Sequence, residues 1–444
     1  MVCKGKMEDL PIQSDALMLS VSGGIPRTSD RTMIECGLKE KNVLDYAAFN
    51  SQTDGSIQDR FCEFIVPRSP SLIDLNDICL GIKGKITKSD GSVLTDVDNV
   101  ILSNNFLHSC LKSLSLYLNG VLVESQTNYA HNAMIKQLTK FKELDLERKG
   151  RCIGLFDPQN FNTTTFTDGF FGGLSEDMKH NMTSIKENGF DMYGPLLLDI
   201  GNTSSYLAPS VEIRIRLDLH DPSFALCSTK EESLKIHINS MKLFVSHYTM
   251  RTNASLALET SILKAPLTYP YRKWISKPIL LNSNSTLLSI ESPFNGNIPS
   301  KIHIAFMDLA SYSGKHYKLN KMFYGSHRLS NIKISVNNGM VYNVRSEFPN
   351  SISHLYHTVL TSLGNGDINL MKLGTFLNGS TILAFNMDPE ILEDGIHPIK
   401  SGANLRLDLE FEQNDKNLVV LLIGEFNSSF SINGSRQVVH SSVV

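Results

Sequence analysis

His354 and His357, three apart on an amphipathic stretch, are the nearest thing to a metal-binding pair in this 444-residue chain, and no third ligand accompanies them. A structural or catalytic metal site needs three or four ligands, so the pair alone reads as helix surface. Asp388, Glu390, Glu393 and Asp394 form an acidic cluster. Glycoside hydrolysis needs two opposed carboxylates, and no partner for this cluster is identifiable. There is no Gly-x-x-x-x-Gly-Lys phosphate loop, no Gly-x-Ser-x-Gly elbow and no His-Glu-x-x-His pair. The chain therefore shows no catalytic set, no cofactor motif and no metal motif. Phe166, Phe170 and Phe171, interleaved with Gly169 and Gly172, fit a contact tip for a neighbouring subunit, or a pin that holds their segment to its own domain. Trp274, the single tryptophan, follows Arg272 and Lys273 and reads as core rather than as a sugar platform.

The informative pattern is repetition. Residues 114–124 read Leu-Ser-Leu-Tyr-Leu-Asn-Gly-Val-Leu-Val-Glu, and residues 332–343 read Ile-Lys-Ile-Ser-Val-Asn-Asn-Gly-Met-Val-Tyr-Asn. Asn119-Gly120 and Asn338-Gly339 predict two-residue hairpin turns, because both residue types tolerate positive φ. A short helix follows each hairpin. Ala130, Met134, Leu138 and Phe141 stripe the first; Ile352, Leu355, Tyr356, Val359 and Leu363 stripe the second. Thr127 or Asn128 suits the first N-cap, Asn350 or Ser351 the second, and Gly364 a C-terminal stop. Arg-Leu-Asp-Leu then occurs at 216–219 and again at 406–409, each time within a period-2 strand. Ile213, Ile215, Leu217 and Leu219 share one face of the first strand; Leu405, Leu407, Leu409 and Phe411 share one face of the second. Ile78–Ile86 and Lys301–Asp308 form another matching pair. Four pairs in one order predict a duplicated β domain.

The spacing also predicts an asymmetry. Asn119 and Asn338 lie 219 positions apart, but Arg216 and Arg406 lie 190 apart. The first copy thus carries 29 extra residues between its helix and the Arg-Leu-Asp-Leu strand. They fall within 150–206, which is aperiodic and predicts a surface excursion that helps clasp neighbouring chains. Residues 1–55 are polar and weakly patterned, with Leu17, Leu19, Val21 and Ile25 as apolar anchors beside Gly23-Gly24, and predict an arm that orders on neighbours. The expected division is an arm at 1–55, a first sandwich at 56–250, a connecting helix over Thr252–Lys264 within 251–265, and a second sandwich at 266–444. First-domain strands are expected at Phe61–Val66, Ile78–Ile86, Leu114–Leu118, Val121–Glu124, Ile213–Leu219 and Leu234–Val245. Eight more are expected in the second domain.

Composition narrows the function classes. Net charge is −3 and pI near 6.5, so no global basic field grips nucleic acid. The cysteines Cys3, Cys36, Cys62, Cys79, Cys110, Cys152 and Cys227 include no Cys-x-x-Cys pair, which suits a reducing compartment. The start, Met-Val-Cys-Lys-Gly-Lys-Met-Glu-Asp, lacks a signal-peptide core, and no run predicts a membrane span. Sequons at Asn181, Asn253 and Asn378 are expected to be chance occurrences.

Phe64–Lys140 resembles the major capsid protein of Polinton (Maverick) elements and adintoviruses. The likeness runs from Ile73-Asp74-Leu75 through Leu80-Gly81-Ile82-Lys83-Gly84-Lys85-Ile86, Asp90-Gly91 and Asn104-Asn105-Phe106-Leu107-His108-Ser109. It continues through Leu116-Tyr117-Leu118-Asn119-Gly120 to Thr127-Asn128-Tyr129-Ala130, and resumes at Ile213–Leu217, Tyr269-Pro270-Tyr271-Arg272, Ala384-Phe385-Asn386-Met387-Asp388 and Gly402–Leu409. The resemblance implies an all-β double jelly roll, two eight-stranded sandwiches side by side with short helices, of the adenovirus and tectivirus lineage. It implies a homotrimer that acts as a pseudohexameric capsomer in an icosahedral shell around double-stranded DNA. Neighbouring capsomers, penton and minor capsid proteins would be the partners. The expected location is the virion, assembled in the host nucleus or cytoplasm. A domesticated host-encoded copy and a jelly-roll carbohydrate-binding module remain the alternative readings.

Overall fold

The computed structural model describes residues 25–26, 38–52, 57, 59–95, 97–203, 205–364, 370–387, 400–401 and 403–441. The first eight strands of its main sheets are β1 (Leu38–Ala47), β2 (Phe61–Val66), β3 (Leu72–Lys88), β4 (Leu111–Leu118), β5 (Val121–Gln126), β6 (Phe190–Pro195), β7 (Ile213–Leu219) and β8 (Leu234–Met250). The next eight are β9 (Leu267–Leu281), β10 (Leu287–Glu291), β11 (Lys301–Asp308), β12 (Leu329–Val336), β13 (Gly339–Arg345), β14 (Ile382–Asn386), β15 (Leu405–Phe411) and β16 (Leu418–Ile432). Sheets of order β1-β8-β3-β6 and β2-β7-β4-β5 make the first half, and β9-β16-β11-β14 and β10-β15-β12-β13 make the second, where Val438–Ser441 adds a further strand along β16. Adding eight to each strand number converts one half into the other. The chain is a double jelly roll, and its pairings are antiparallel throughout these four sheets.

Period-2 patterning explains why the sheets face as they do. Ile213, Ile215 and Leu217 of β7 are fully buried, as is Leu409 of β15, while Arg214, Arg216 and Arg406 stay exposed. The repeated Arg-Leu-Asp-Leu performs the same local task in both halves. Arg216 Nε donates to Asp218 at 3.1 Å, and Arg406 Nε donates to Asp408 at 3.1 Å. Asn119 and Gly120, with φ of 47° and 83°, turn between the paired residues Leu118 and Val121. In the second hairpin the pair Val336 and Gly339 closes around Asn337 and Asn338, with φ of 49° and 66°. That turn lies one position earlier than the Asn338-Gly339 spacing predicts, because a second asparagine also tolerates the left-handed region. Gly339 opens β13 instead.

Two strands occupy stretches read above as arm and excursion. Leu38–Ala47 forms β1, pairing Val43 with Ser246 at the edge of the first roll. Phe190–Pro195 forms β6, on the other edge of the same sheet. Gly189, at φ 81°, brings the chain over Gly84 to begin β6; a Cβ there would lie 2.2 Å from the Gly84 carbonyl oxygen. Ile25–Pro26 pairs with Ser205–Tyr206. The other proposed arm anchors, Leu17, Leu19, Val21, Gly23 and Gly24, lie outside the described residues. So do Cys3, Cys36, the cluster Asp388, Glu390, Glu393 and Asp394, and Gly402.

Helix α1 (Tyr129–Lys140) follows the first hairpin, and α2 (Glu176–Asn188) belongs to the excursion. Helix α3 (Thr252–Lys264) joins the rolls over the predicted residues, and α4 (Ser353–Leu363) follows the second hairpin. Among the described residues, no helix is long and apolar enough to cross a membrane.

Candidate assembly surface

Polar side chains link the two rolls, and His131, Lys136 and Lys140 among them lie on α1. Asn128 precedes α1 but does not cap it with its side chain. Its amide instead donates to Ser276 Oγ on β9 at 3.2 Å and accepts from Tyr312 Oη at 3.1 Å. One turn on, His131 shares a hydrogen bond of 3.1 Å with Tyr324 Oη and stacks on the Tyr312 ring at 5.5 Å. Burial pushes this imidazole down to about 4, so it is neutral in the folded chain.

At the centre of the seam, Lys136 Nζ donates to Asp199 Oδ1 at 2.6 Å and to the Leu197 carbonyl at 3.2 Å. Asp199 Oδ2 accepts from the Trp274 backbone N–H at 2.8 Å, which ties the first roll to β9 of the second. Glu124 of β5 accepts from the backbone N–H groups of Asp199 and Ile200 at 2.8 and 3.0 Å. Lys136 and Asp199 are 6% and 1% exposed, so they are a desolvated pair whose ions need each other. Burial, reinforced by the Asp199 carboxylate, pushes Glu124 up to about 7.

Trp274 is the hub on the second roll. Its ring stacks on His303 at 4.7 Å, and Lys136 and Lys140 lie over it at 5.2 and 5.7 Å. Glu425 of β16 stands beside His303 at 3.7 Å and Arg272 at 3.6 Å. Burial works to raise the Glu425 carboxyl, but the neighbouring His303 ring and the Lys140 charge hold it at about 2. Further out, Asn119 donates to the Arg436 carbonyl at 2.8 Å. The first hairpin turn thus touches the far end of the second roll.

The excursion is a latch across this seam. Phe166 and Phe171 are 1% and 6% exposed and pack with Phe161, Met178, Ile101 and Cys227, with Phe170 half-buried against them. Phe166 N–H donates to the Lys318 carbonyl at 2.7 Å, and Asn320 donates to the carbonyls of Phe161 and Thr163 at 2.9 and 3.0 Å. The three phenylalanines therefore pin the segment within its own chain. Asn119, Gly120, Asn338 and Gly339 sit at the two hairpin ends described above. His354 and His357 are exposed on α4, and among the described residues no group of three His, Cys, Asp or Glu is placed to hold a metal.

Sequence reasoning missed Glu124, Lys136, Asp199, His303 and Glu425. One signal was available: α1 places Lys136 opposite its apolar stripe, at a position that a solvated helix face would also fill.

No protein-family model and no curated protein matches the chain. Solved structures do. A chain of the Sputnik virophage cryo-EM structure aligns with TM-score 0.61 at 11% identity, covering 92% of this chain and 89% of that one. The mavirus major capsid protein aligns at 0.55 and 9% identity, covering 90% of each. The Faustovirus major capsid protein aligns at 0.53 and 9% identity, covering 88% of this chain and 90% of that one. At these identities the likeness establishes the shared double jelly-roll fold.

Proposed function

We propose that this chain is a major capsid protein whose homotrimers tile an icosahedral shell around double-stranded DNA as pseudohexameric capsomers. The observation that carries the reading is the duplication itself: two rolls of one strand order, fixed edge to face by a buried charged seam. Three such chains present six similar wedges, and six wedges tile a surface with near-hexagonal symmetry. The likeness to viral major capsid proteins supports the role. The string from Phe64 to Lys140 supports the Polinton and adintovirus lineage. Neighbouring capsomers, penton and minor capsid proteins are the proposed partners, in a virion assembled in the host nucleus or cytoplasm. The net charge of −3 argues against strong direct binding to the packaged DNA. No covalent chemistry enters this function; the work is done by buried area, on the order of 2,000 Å² or more for an obligate contact.

Mass photometry of the purified protein tests this. The expected species is a trimer at three times 49.4 kDa. A monomer at every concentration contradicts the capsid reading.

A further inference from the structure

A cleft stays open between the rolls at the start of α1. Asn128, the residue before the helix, spends its amide on Ser276 and Tyr312, so the first-turn N–H groups of α1 have no side-chain cap. Such a terminus presents unpaired donors and the positive end of the helix dipole. It borders a cavity of about 500 Å³. The first roll lines the cavity with Thr127, Asn128, Ala130 and His131, and with the start of β4 and the end of β7. The second roll closes it with Tyr312 and Ser313 of the helical turn Leu309–Ser313.

The lining indicates what the cavity takes. His131 is 3% exposed; its Nδ1 is engaged by Tyr324, and its Nε2 has no partner among the described residues. When the Tyr324 hydroxyl donates to Nδ1, the ring proton rests on Nε2 as a buried donor without an acceptor. Charge points the same way. Asp221 holds Arg60 at 2.9 Å and Asp218 holds Arg216 at 3.1 Å, but Lys112, exposed in the same lining, has no ion pair among the described residues. Three cations thus face two carboxylates. The half-buried rings of His220 and Tyr312 also line the cavity, stacked on Phe224 at 3.7 Å and on His131 at 5.5 Å. A planar ligand ring finds stacking surface on such groups.

We propose that this cavity binds a small organic phosphate bearing a planar ring, of nucleoside monophosphate size, with the phosphate at the α1 N-terminus and Lys112 and the ring against His220 and Tyr312. The phosphate satisfies the open helix donors and pairs with the surplus cation, and His131 Nε2 gains its acceptor. Cavities of roughly 300–1,000 Å³ suit ligands of this size. His131 belongs to the first roll and Tyr312 to the second, so a bound molecule bridges both and stabilises their union by mass action. The inference concerns the single chain and is independent of trimerisation.

Isothermal titration calorimetry of the full chain with adenosine monophosphate, adenosine and inorganic phosphate tests this, alongside thermal unfolding. The monophosphate is expected to bind once per chain, to raise the unfolding midpoint, and to bind at least tenfold more tightly than adenosine or inorganic phosphate. Lys112→Glu reverses an exposed charge, and Thr127→Glu sets a carboxylate beside the helix donors from an exposed position. Each should weaken the monophosphate at least tenfold while the free protein keeps its near-UV circular dichroism. Lys39→Glu, the same charge change on β1 and outside the cavity, should leave its affinity unchanged. Failure of the monophosphate to bind at millimolar concentration overturns the proposal. So does binding no tighter than that of adenosine or inorganic phosphate, or binding indifferent to both cavity variants.

Discussion

Helix α1 buries eleven of its twelve residues, whereas α4, in the same place after the same hairpin, buries three of eleven. The two helices present similar apolar stripes to their own rolls. They differ in what meets the opposite face. A sheet of the second roll closes over α1, so His131, Asn132, Lys136 and Gln137 are buried; His131 pairs with Tyr324 and Lys136 with Asp199. Among the described residues no sheet closes over α4, and His354, His357 and Thr361 on its polar face stay exposed. A duplicated fold becomes asymmetric through its contacts while its topology is kept.

The comparison is broken most severely by removing the carboxylate at its centre. Asp199→Ala strands Lys136 in the seam and leaves the Trp274 N–H without its acceptor. It should cost about 3–5 kcal/mol in urea unfolding. A loss below about 1 kcal/mol would mean the seam is wet and the contrast with α4 is superficial. Gly189→Ala comes next, at about 1–3 kcal/mol, since it combines positive φ with a backbone clash on Gly84. It should loosen β6 and leave β14 alone, which hydrogen exchange can resolve strand by strand.

A pH series sharpens the comparison further. The Glu124 carboxyl sits at about 7 in the folded chain, against an ordinary value of 4.5. Between those values the unfolded chain gives up its proton first. Stability should therefore fall as pH rises from 4.5 to about 7, by at most roughly 1.4 kcal/mol per pH unit. Glu425 acts in the opposite sense: its contribution is present above 4.5 and is lost as pH falls toward about 2. Glu124→Gln should flatten the upper window and spare the lower one, as read from urea midpoints. The smallest effect belongs to α4. His357→Ala should change monomer stability by less than about 0.5 kcal/mol, and a larger loss would show that α4 already has a partner within the chain.

Much of this fold was legible from residue patterning. Strands β9 to β16 of the second roll, five of the six read in the first roll's core and the full span of α3 follow from period-2 runs, turn residues and Pro266, whereas Val438–Ser441 was not expected. Ile78–Ile86 was found but is shorter than β3, whose first residues alternate less cleanly. Strands β1 and β6 escaped for a shared reason: both are edges. Leu38–Ala47 buries only Leu38 and Tyr46 in part, so its Lys and Glu residues hide the pleat. Phe190–Pro195 does alternate in and out, but its Gly194 and Pro195 mark an edge or a break in sequence terms. The seam was less legible still. Lys136 and Asp199 are 63 positions apart, and no local period reports that a polar helix face will be covered by a distant sheet. The phenylalanines of the excursion allowed two readings from sequence, and their burial favours the pin.

The most direct test of the central claim, that duplication inside one chain supplies two members of a six-membered ring, is negative-stain microscopy of the purified wild-type protein. The account predicts class averages of a threefold particle with six lobes around its axis. Particles of two lobes, or rings whose lobe number is not six, would contradict it.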